Sequence, residues 1–277
     1  MKTYTTTLAV GGSDPSGGAG IQADLKTFSA LGCYGMSVIT ALTAQNTTGV
    51  RGIFEISPEF VESQLNAIFE DIEVDAVKIG MLHSPAIIET VARCLDNHPV
   101  KKLVLDPVMF AKSGDRLIKD DAIETLRERL IPKATVLTPN LPEAGELLRR
   151  SIKTRDHMEE SAHTLLSFGP ECVVIKGGHI DFGGSDDFIA FLSGNEIEDH
   201  WFYGRRETTS NLHGTGCTFA SAVTCFLAKG LSLKKAVKSA KEYIAGAVKA
   251  GGEYSLGNGH GPVSHFYKIW EEEEGTD

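Results

Sequence analysis

The sequence predicts an α/β fold: a mostly parallel central sheet with helices on both faces, in three layers. Three observations lead there. Short β-branched runs alternate with amphipathic stretches of helical period. Several of those runs are apolar throughout, as strands buried on both faces of a parallel sheet must be. The segments closing them are polar and glycine-rich: GGSD, TAQN, KIGM, DPVM, TPNLPE and KGG. Open α/β sheets bind their ligands beyond such carboxyl ends.

In chain order, strands are expected at 7–12, 37–44, 74–80, 102–108, 134–140, 172–178 and 186–192. Helices are expected at 19–31, 58–71, 84–97, 119–130, 141–149 and 156–168, with two long ones at about 215–229 and 232–251. Ser57 reads as an N-cap with Pro58 at the first helical position. Gly230 ends the first long helix, and Ser232 is suited to cap the second. With 277 residues and 42% hydrophobic content, the chain can bury a substantial core. No Pro/Ser-rich linker, internal repeat or low-complexity block divides it, so one domain over 1–277 is expected. The acidic run Glu271–Glu274 reads as part of a solvated tail, about 271–277. With its end at Asp277, the sequence is expected to carry one enzyme without a fused second one.

Lys and Arg number 27 against 37 Asp and Glu, a net charge of −10. A surface this acidic argues against general nucleic-acid or anionic-membrane binding. It still permits an anionic ligand held by local lysines and backbone amides. The five cysteines, Cys33, Cys94, Cys172, Cys217 and Cys225, form no C-x-x-C pair, and the N-terminus lacks a signal peptide's apolar region. Reduced thiols and a cytoplasmic location are expected.

GGAGIQA holds a G-x-G-x-x-A pattern at Gly18, Gly20 and Ala23. It lies several residues past the strand, and no acidic residue ends the next one, so it fits a dinucleotide fingerprint poorly. No G-K-[ST] occurs, which excludes a Walker A loop. LHGTGCTFASAV, residues 212–223, carries more: Gly214, Thr215 and Gly216 precede an apolar helix. Free amides at a helix N-terminus, with no Cβ in the way, form an anion nest suited to a phosphoryl group in transfer. The same residues would also serve an ordinary glycine-rich helix start. Cys217 at that join would have its thiolate stabilised by the helix dipole, ready to take or share the proton of an attacking hydroxyl. The other four cysteines read as buried and structural. Asn140 and Glu143 in NLPE suit waters around Mg²⁺, or simply a capped helix start with Pro142 in its first turn. Lys176 in KGG and Lys112 in AKSG, at neighbouring strand ends, are both candidates for a phosphate.

These pieces resemble the ribokinase-like superfamily, which carries a late glycine-rich anion hole opening a helix. Within it the sequence is most similar to the hydroxymethylpyrimidine/phosphomethylpyrimidine kinases of thiamine biosynthesis. The likeness runs through GGSDPSGGAGIQADLKTFSALGCYGMSVITALTAQNT, KIGML, LDPVM, AKSGD, LTPNLPEA, KGGH, HGTGCT and GHGPVSHF. It implies a ribokinase-like three-layer sandwich and ATP-dependent phosphorylation of a hydroxymethylpyrimidine and then of its monophosphate. It assigns the anion hole to Gly214–Cys217, with Cys217 where sugar kinases hold an Asp. Asn140 and Glu143, with Asp106 contributing, would support Mg²⁺ through water, and Lys176 would approach the ATP phosphates. Gly12, Asp24, Gln45, Met81 and Val108 would line the pyrimidine pocket. An aminopyrimidine edge offers a donor and an acceptor that the Gln45 amide can match, with Asp24 as a further acceptor. Without the family, Gln45 would read as a polar residue at a strand end.

The nearest alternative is a pyridoxal or pyridoxine kinase. Those relatives tend to carry Met at the position of Gln45 and Cys before the lysine matching Lys112, where this sequence has Ala111. A different class of reading is a non-catalytic pyrimidine sensor, against which Lys176, Asn140, Glu143 and Cys217 all count. The resemblance also implies a homodimer. Loops at 113–115 or 204–211 are the candidate lids.

Overall fold

The computed structural model describes residues 2–178, 184–194 and 196–270. The acidic run at 271–274 lies outside them. Among the described residues one nine-stranded sheet organises the fold, in the order β3-β2-β1-β4-β5-β6-β7-β8-β9. The strands are β1 (Thr6–Ser13), β2 (Tyr34–Asn46), β3 (Gly49–Glu55), β4 (Ala76–Ile79), β5 (Leu103–Leu105), β6 (Val136–Leu137), β7 (Cys172–Lys176), β8 (Asp187–Ser193) and β9 (Glu196–Phe202). Neighbours from β2 through β7 pair in parallel, while β3, β8 and β9 join antiparallel. The mostly parallel α/β sheet expected from the sequence is therefore present.

The period of two explains the layers. Leu8 and Val10 of β1, Leu103 and Leu105 of β5, and Val173 and Ile175 of β7 all enter one core. There they meet α2 (Pro58–Phe69), α3 (Pro85–Asn97), α4 (Asp120–Arg129), α5 (Leu141–Leu148) and α6 (Arg155–Leu166). The residues between, Val104, Cys172 and Val174, face the opposite core with α7 (Thr215–Ala228) and α8 (Leu233–Gly251). Ala9 packs there with α1 (Gly20–Ala30) and Cys225 of α7.

Helix ends obey their local chemistry. Ser57 accepts from the Phe60 amide and Pro58 opens α2. Gly230, with φ of 82°, follows α7 in the left-handed region. Ser232 occupies the N-cap position of α8 but its side chain makes no capping bond.

Two strands were not expected. β3 and β9 are antiparallel and largely exposed, so they carry no apolar run. β2 runs on to Asn46, so Gln45 sits inside a hairpin with β3 rather than in a loop. β5 and β6 are shorter than expected, since Pro107 and Pro139 have no amide to extend the ladder. The chain order reverses about β1, with β2 on one side and β4 on the other. That switch point opens the crevice where the site lies.

Candidate active site

A cavity of about 1230 Å³ spreads over the carboxyl ends of β1, β4, β5 and β7. Single-ligand pockets run to roughly 1,000 Å³, so there is room for two small molecules. Its floor is where the amides of α7 begin. Gly214 is the N-cap, with φ of 79°. A Cβ there would lie 1.7 Å from the Gly18 carbonyl oxygen, so only glycine fits. The Thr215 amide reaches the Leu212 carbonyl at 3.3 Å. Among the described residues the amides of Gly216 and Cys217 have no partner, and both residues line the cavity.

This turn is tied to the loop after β1. The Asp14 carboxylate accepts from His213 Nε2 at 2.7 Å and from the amides of Ser16 and Ala19, each at 2.9 Å. Burial would raise the Asp14 pKa, but His213, Ser16 and Ala19 outweigh it and hold it at about 2. A Cβ on Gly18 would meet the His213 ring at 2.3 Å, so the two loops close on each other without a side chain between.

Cys217 is half-buried in this wall, its sulfur accepting from the Gly20 amide at the start of α1. Here the structure corrects the sequence expectation of a stabilised thiolate. Burial pushes the thiol up to about 11, although Lys78 pulls the other way. Desolvation outweighs both Lys78 and the Gly20 amide, and the sulfur keeps its proton at neutral pH. The other four cysteines are free and buried, as expected.

Across from the amides stands Lys176, at the end of β7, with Nζ 2.8 Å from Asp106 Oδ1. A Cβ on Gly216 would lie 3.4 Å from that Nζ and 3.8 Å from Asp106 Oδ2. Asp106, buried at the end of β5, also accepts from Thr138 Oγ1 at 3.1 Å. Asn140 and Glu143 form a capping box at the start of α5, each side chain accepting from the other's amide. Burial raises the Glu143 pKa to about 7, against the pull of Lys176 and with the push of Asp106. Among the described residues no three His, Cys, Asp or Glu are arranged to grip a metal directly. Two buried carboxylates around one lysine, with oxygen donors only, still fit a hard hydrated cation. Lys112 is exposed on a loop well beyond β5, lining the cavity but not standing at a strand end.

The far end of the cavity gathers Gly12, Gln45, Met81 and Val108. A Cβ on Gly12 would collide with the Met81 sulfur at 2.7 Å, so that glycine seats the methionine. Asp24 lies beneath, fully buried. Lys78 Nζ donates to it at 2.9 Å and Ser221 Oγ at 2.7 Å, so both of its oxygens are already engaged.

Lys78 escaped the sequence reading, although a lysine within the apolar run VDAVKIG was its signal. Burial opposes charge on it, but Asp24, Cys217 and Asp106 outweigh that and raise its pKa. Also missed were Lys241, Ile244 and Val248 at the end beyond Lys176, which no motif marks; Arg205–Ser210, which line the cavity with them, lie in the segment 204–211 expected as a lid. Lys241 there pairs with Asp187 at 2.5 Å.

Behind α7, His265 is buried with Nε2 3.0 Å from Thr218 Oγ1. Burial, then Lys26 and His213, lower its pKa to about 4. Folded protein thus binds fewer protons than unfolded chain between pH 6.5 and 4. Stability should fall across that window as pH drops, by up to about 3 kcal/mol. Urea midpoints measured from pH 7 to 4 check this, and His265→Gln should flatten the slope.

Kinases are among the solved structures that this fold resembles. Bacillus subtilis pyridoxal kinase superposes with a TM-score of 0.87 at 37% identity, covering 97% of this chain and 100% of that one. Fold and site define a ribokinase-like small-molecule phosphotransferase. Residues 14–264 match the model of phosphomethylpyrimidine kinase, and the chain belongs to that family. It is 47% identical over 264 residues to the hydroxymethylpyrimidine/phosphomethylpyrimidine kinase of Salmonella typhimurium, 95% of this chain and 98% of the relative. The phosphomethylpyrimidine kinase of Clostridium difficile is 45% identical with a TM-score of 0.75, covering 86% and 97% of the two chains.

Proposed function

We propose that this protein phosphorylates 4-amino-5-hydroxymethyl-2-methylpyrimidine with ATP, and then its monophosphate to the pyrophosphate, in thiamine biosynthesis. The observation that carries this reading is one cavity with open amides at Gly216 and Cys217 beside Lys176, and Gln45 at its other end. The pyrimidine lies between Met81 and Val108 with its amino edge on Gln45 and Asp24 below. Its hydroxymethyl arm then rests against the Cys217 sulfur. ATP enters beyond Lys176, with Ile244 and Val248 as apolar contacts and its terminal phosphate on the amides.

Phosphoryl transfer passes through a loose transition state, so positioning and charge stabilisation matter more than a strong base. A protonated Cys217 suits that. It orients the alcohol by hydrogen bonding, and the alcohol's proton passes late to an oxygen of the transferred phosphoryl group, as the new O–P bond forms and the bond to ADP breaks. The Gly216 and Cys217 amides and the Lys176 ammonium meet the charge growing on the phosphoryl oxygens. Magnesium, when bound, would screen charge between the phosphates, held through water by Asp106, Glu143 and Asn140, with Lys112 approaching from the rim. The loops at 113–115 and 204–211 are the candidate lids that exclude water.

An ATP-dependent assay with the hydroxymethylpyrimidine, its monophosphate and pyridoxal in parallel tests the reading. Faster turnover of pyridoxal than of either pyrimidine would hand the site to the B6 vitamer. No conversion of ATP to ADP with any of them would leave a binding protein. Cys217→Ala should cut kcat about a hundredfold and leave KM within about twofold; unchanged turnover removes Cys217 from the mechanism. A cytoplasmic homodimer completes the proposal. Exposed Leu42 and Phe54, directly paired across β2 and β3, offer apolar surface for a second copy, and light scattering measures the mass.

A further inference from the structure

Gln45 does not stand alone on its strand. Thr43 lies two residues before it, on the same face of β2, and a register shift between Ala44 and Gln45 re-aims the strand there. Thr43 Oγ1 is 2.9 Å from the Ser13 carbonyl oxygen and 3.2 Å from the end of the Gln45 amide, where Oε1 is drawn. Both side chains line the cavity. The Gln45 side chain has no other hydrogen-bond partner among the described residues.

A hydroxyl carries one proton. The Ser13 carbonyl can only accept, and at the shorter distance it takes that proton. Thr43 Oγ1 then has only lone pairs left for Gln45, so the amide must turn its nitrogen toward it. Half a turn about the last side-chain bond exchanges the two ends without moving any other atom. One N–H is then spent on Thr43. The carbonyl oxygen and the second N–H face the cavity, in a fixed left-to-right order.

We propose that Thr43 is a positioning residue that fixes which way round the Gln45 amide meets the ring, so that the site selects an amino-bearing edge over the corresponding oxo edge. The proposal rests on Gln45 reading the pyrimidine, as proposed above. In an aminopyrimidine the exocyclic group donates and the adjacent ring nitrogen accepts. In the 4-oxo counterpart the polarity is reversed, with a carbonyl that accepts beside a ring N–H that donates. An amide locked in one orientation matches the first and opposes the second. The chain around it is held to serve this. Thr47 accepts from the amides of Gly259 and His260, and Asp115 accepts from that of Val50, so the hairpin tip is gripped from both sides.

The test compares kcat/KM for 4-amino-5-hydroxymethyl-2-methylpyrimidine and its 4-oxo analogue in wild type, Thr43→Val and Thr43→Ser. Losing one net hydrogen bond should narrow the amino-over-oxo preference by roughly five- to tenfold in Thr43→Val. The KM for the amino substrate should rise and that for the oxo analogue fall, with kcat and the KM for ATP steady. Thr43→Ser should restore the preference. If Thr43→Val does not fold, Thr43→Ala should show the same narrowing. A Thr43→Val enzyme that keeps the wild-type ratio, or loses both substrates alike, overturns the proposal. Gln45→Leu separates the two levels. If it leaves the preference intact, the reading of Gln45 itself fails; if it abolishes the preference while Thr43→Val does not touch it, only the role of Thr43 fails.

Discussion

Gly214→Ala should lower kcat by at least about a thousandfold, more than the loss of a single oxyanion donor. Two effects combine. The φ of 79° is strained for any residue with a Cβ, at a cost of about 1–2 kcal/mol. The added carbon would also sit 1.7 Å from the Gly18 oxygen, which nothing can tolerate, so the turn must move. Moving it re-aims the Gly216 and Cys217 amides and strains the His213–Asp14 contact together. Gly230→Ala is the control. Its φ of 82° carries the same backbone penalty, but no atom lies within 4 Å of the new Cβ. It should lose about 1–2 kcal/mol of stability and keep its turnover. Steady-state kinetics and urea titration of both variants check the pair. Comparable turnover in the two would mean that the amides at Gly216 and Cys217 do not meet the phosphoryl group.

Lys78→Met should be the most destabilising change at the site, at about 3–5 kcal/mol. Lys78 and Asp24 are both buried, so removing the ammonium strands a carboxylate where water cannot reach it. Ser221 gives that carboxylate one hydrogen bond, which does not offset the lost charge. Replacing both partners, Lys78→Met with Asp24→Leu, should recover most of the stability, since the pair is costly chiefly when broken. Turnover should not return with it. Asp24 would underlie the ring in the proposed site, and Lys78 is the cation that draws the Cys217 thiol pKa down. Additive losses in the double variant, measured by denaturant unfolding, would show that the two side chains do not act as a pair.

How much of this was legible in the sequence follows from what each residue touches. β1, β4 and β7 announce themselves because apolar side chains leave them on both faces. EIEDHWF does not, because β9 is an edge whose residues face water. The start of α7 could be read from its glycines. The protonation state of Cys217 could not, since a dipole is a local property of a helix end and desolvation depends on everything packed against it. NLPE gave two readings: the structure contains the capping box outright, while a hydrated cation there belongs to the proposed function. Contacts between distant segments had no local signature at all: His213 and Asp14 are 199 positions apart, and Ser221 and Asp24 are 197.

Those separations carry a consequence for biosynthesis. A chain emerging from the ribosome can pair β1 with β2 and β4 early, yet Gln45 waits for the segment at 257–260 to grip Thr47, and Asp14 waits for His213. Closing loops of that size comes late and slowly. Nascent protein therefore owns a sheet before it owns anything to hold a vitamin precursor. Ligand in the cell can protect finished molecules from unfolding but has no grip on half-made ones.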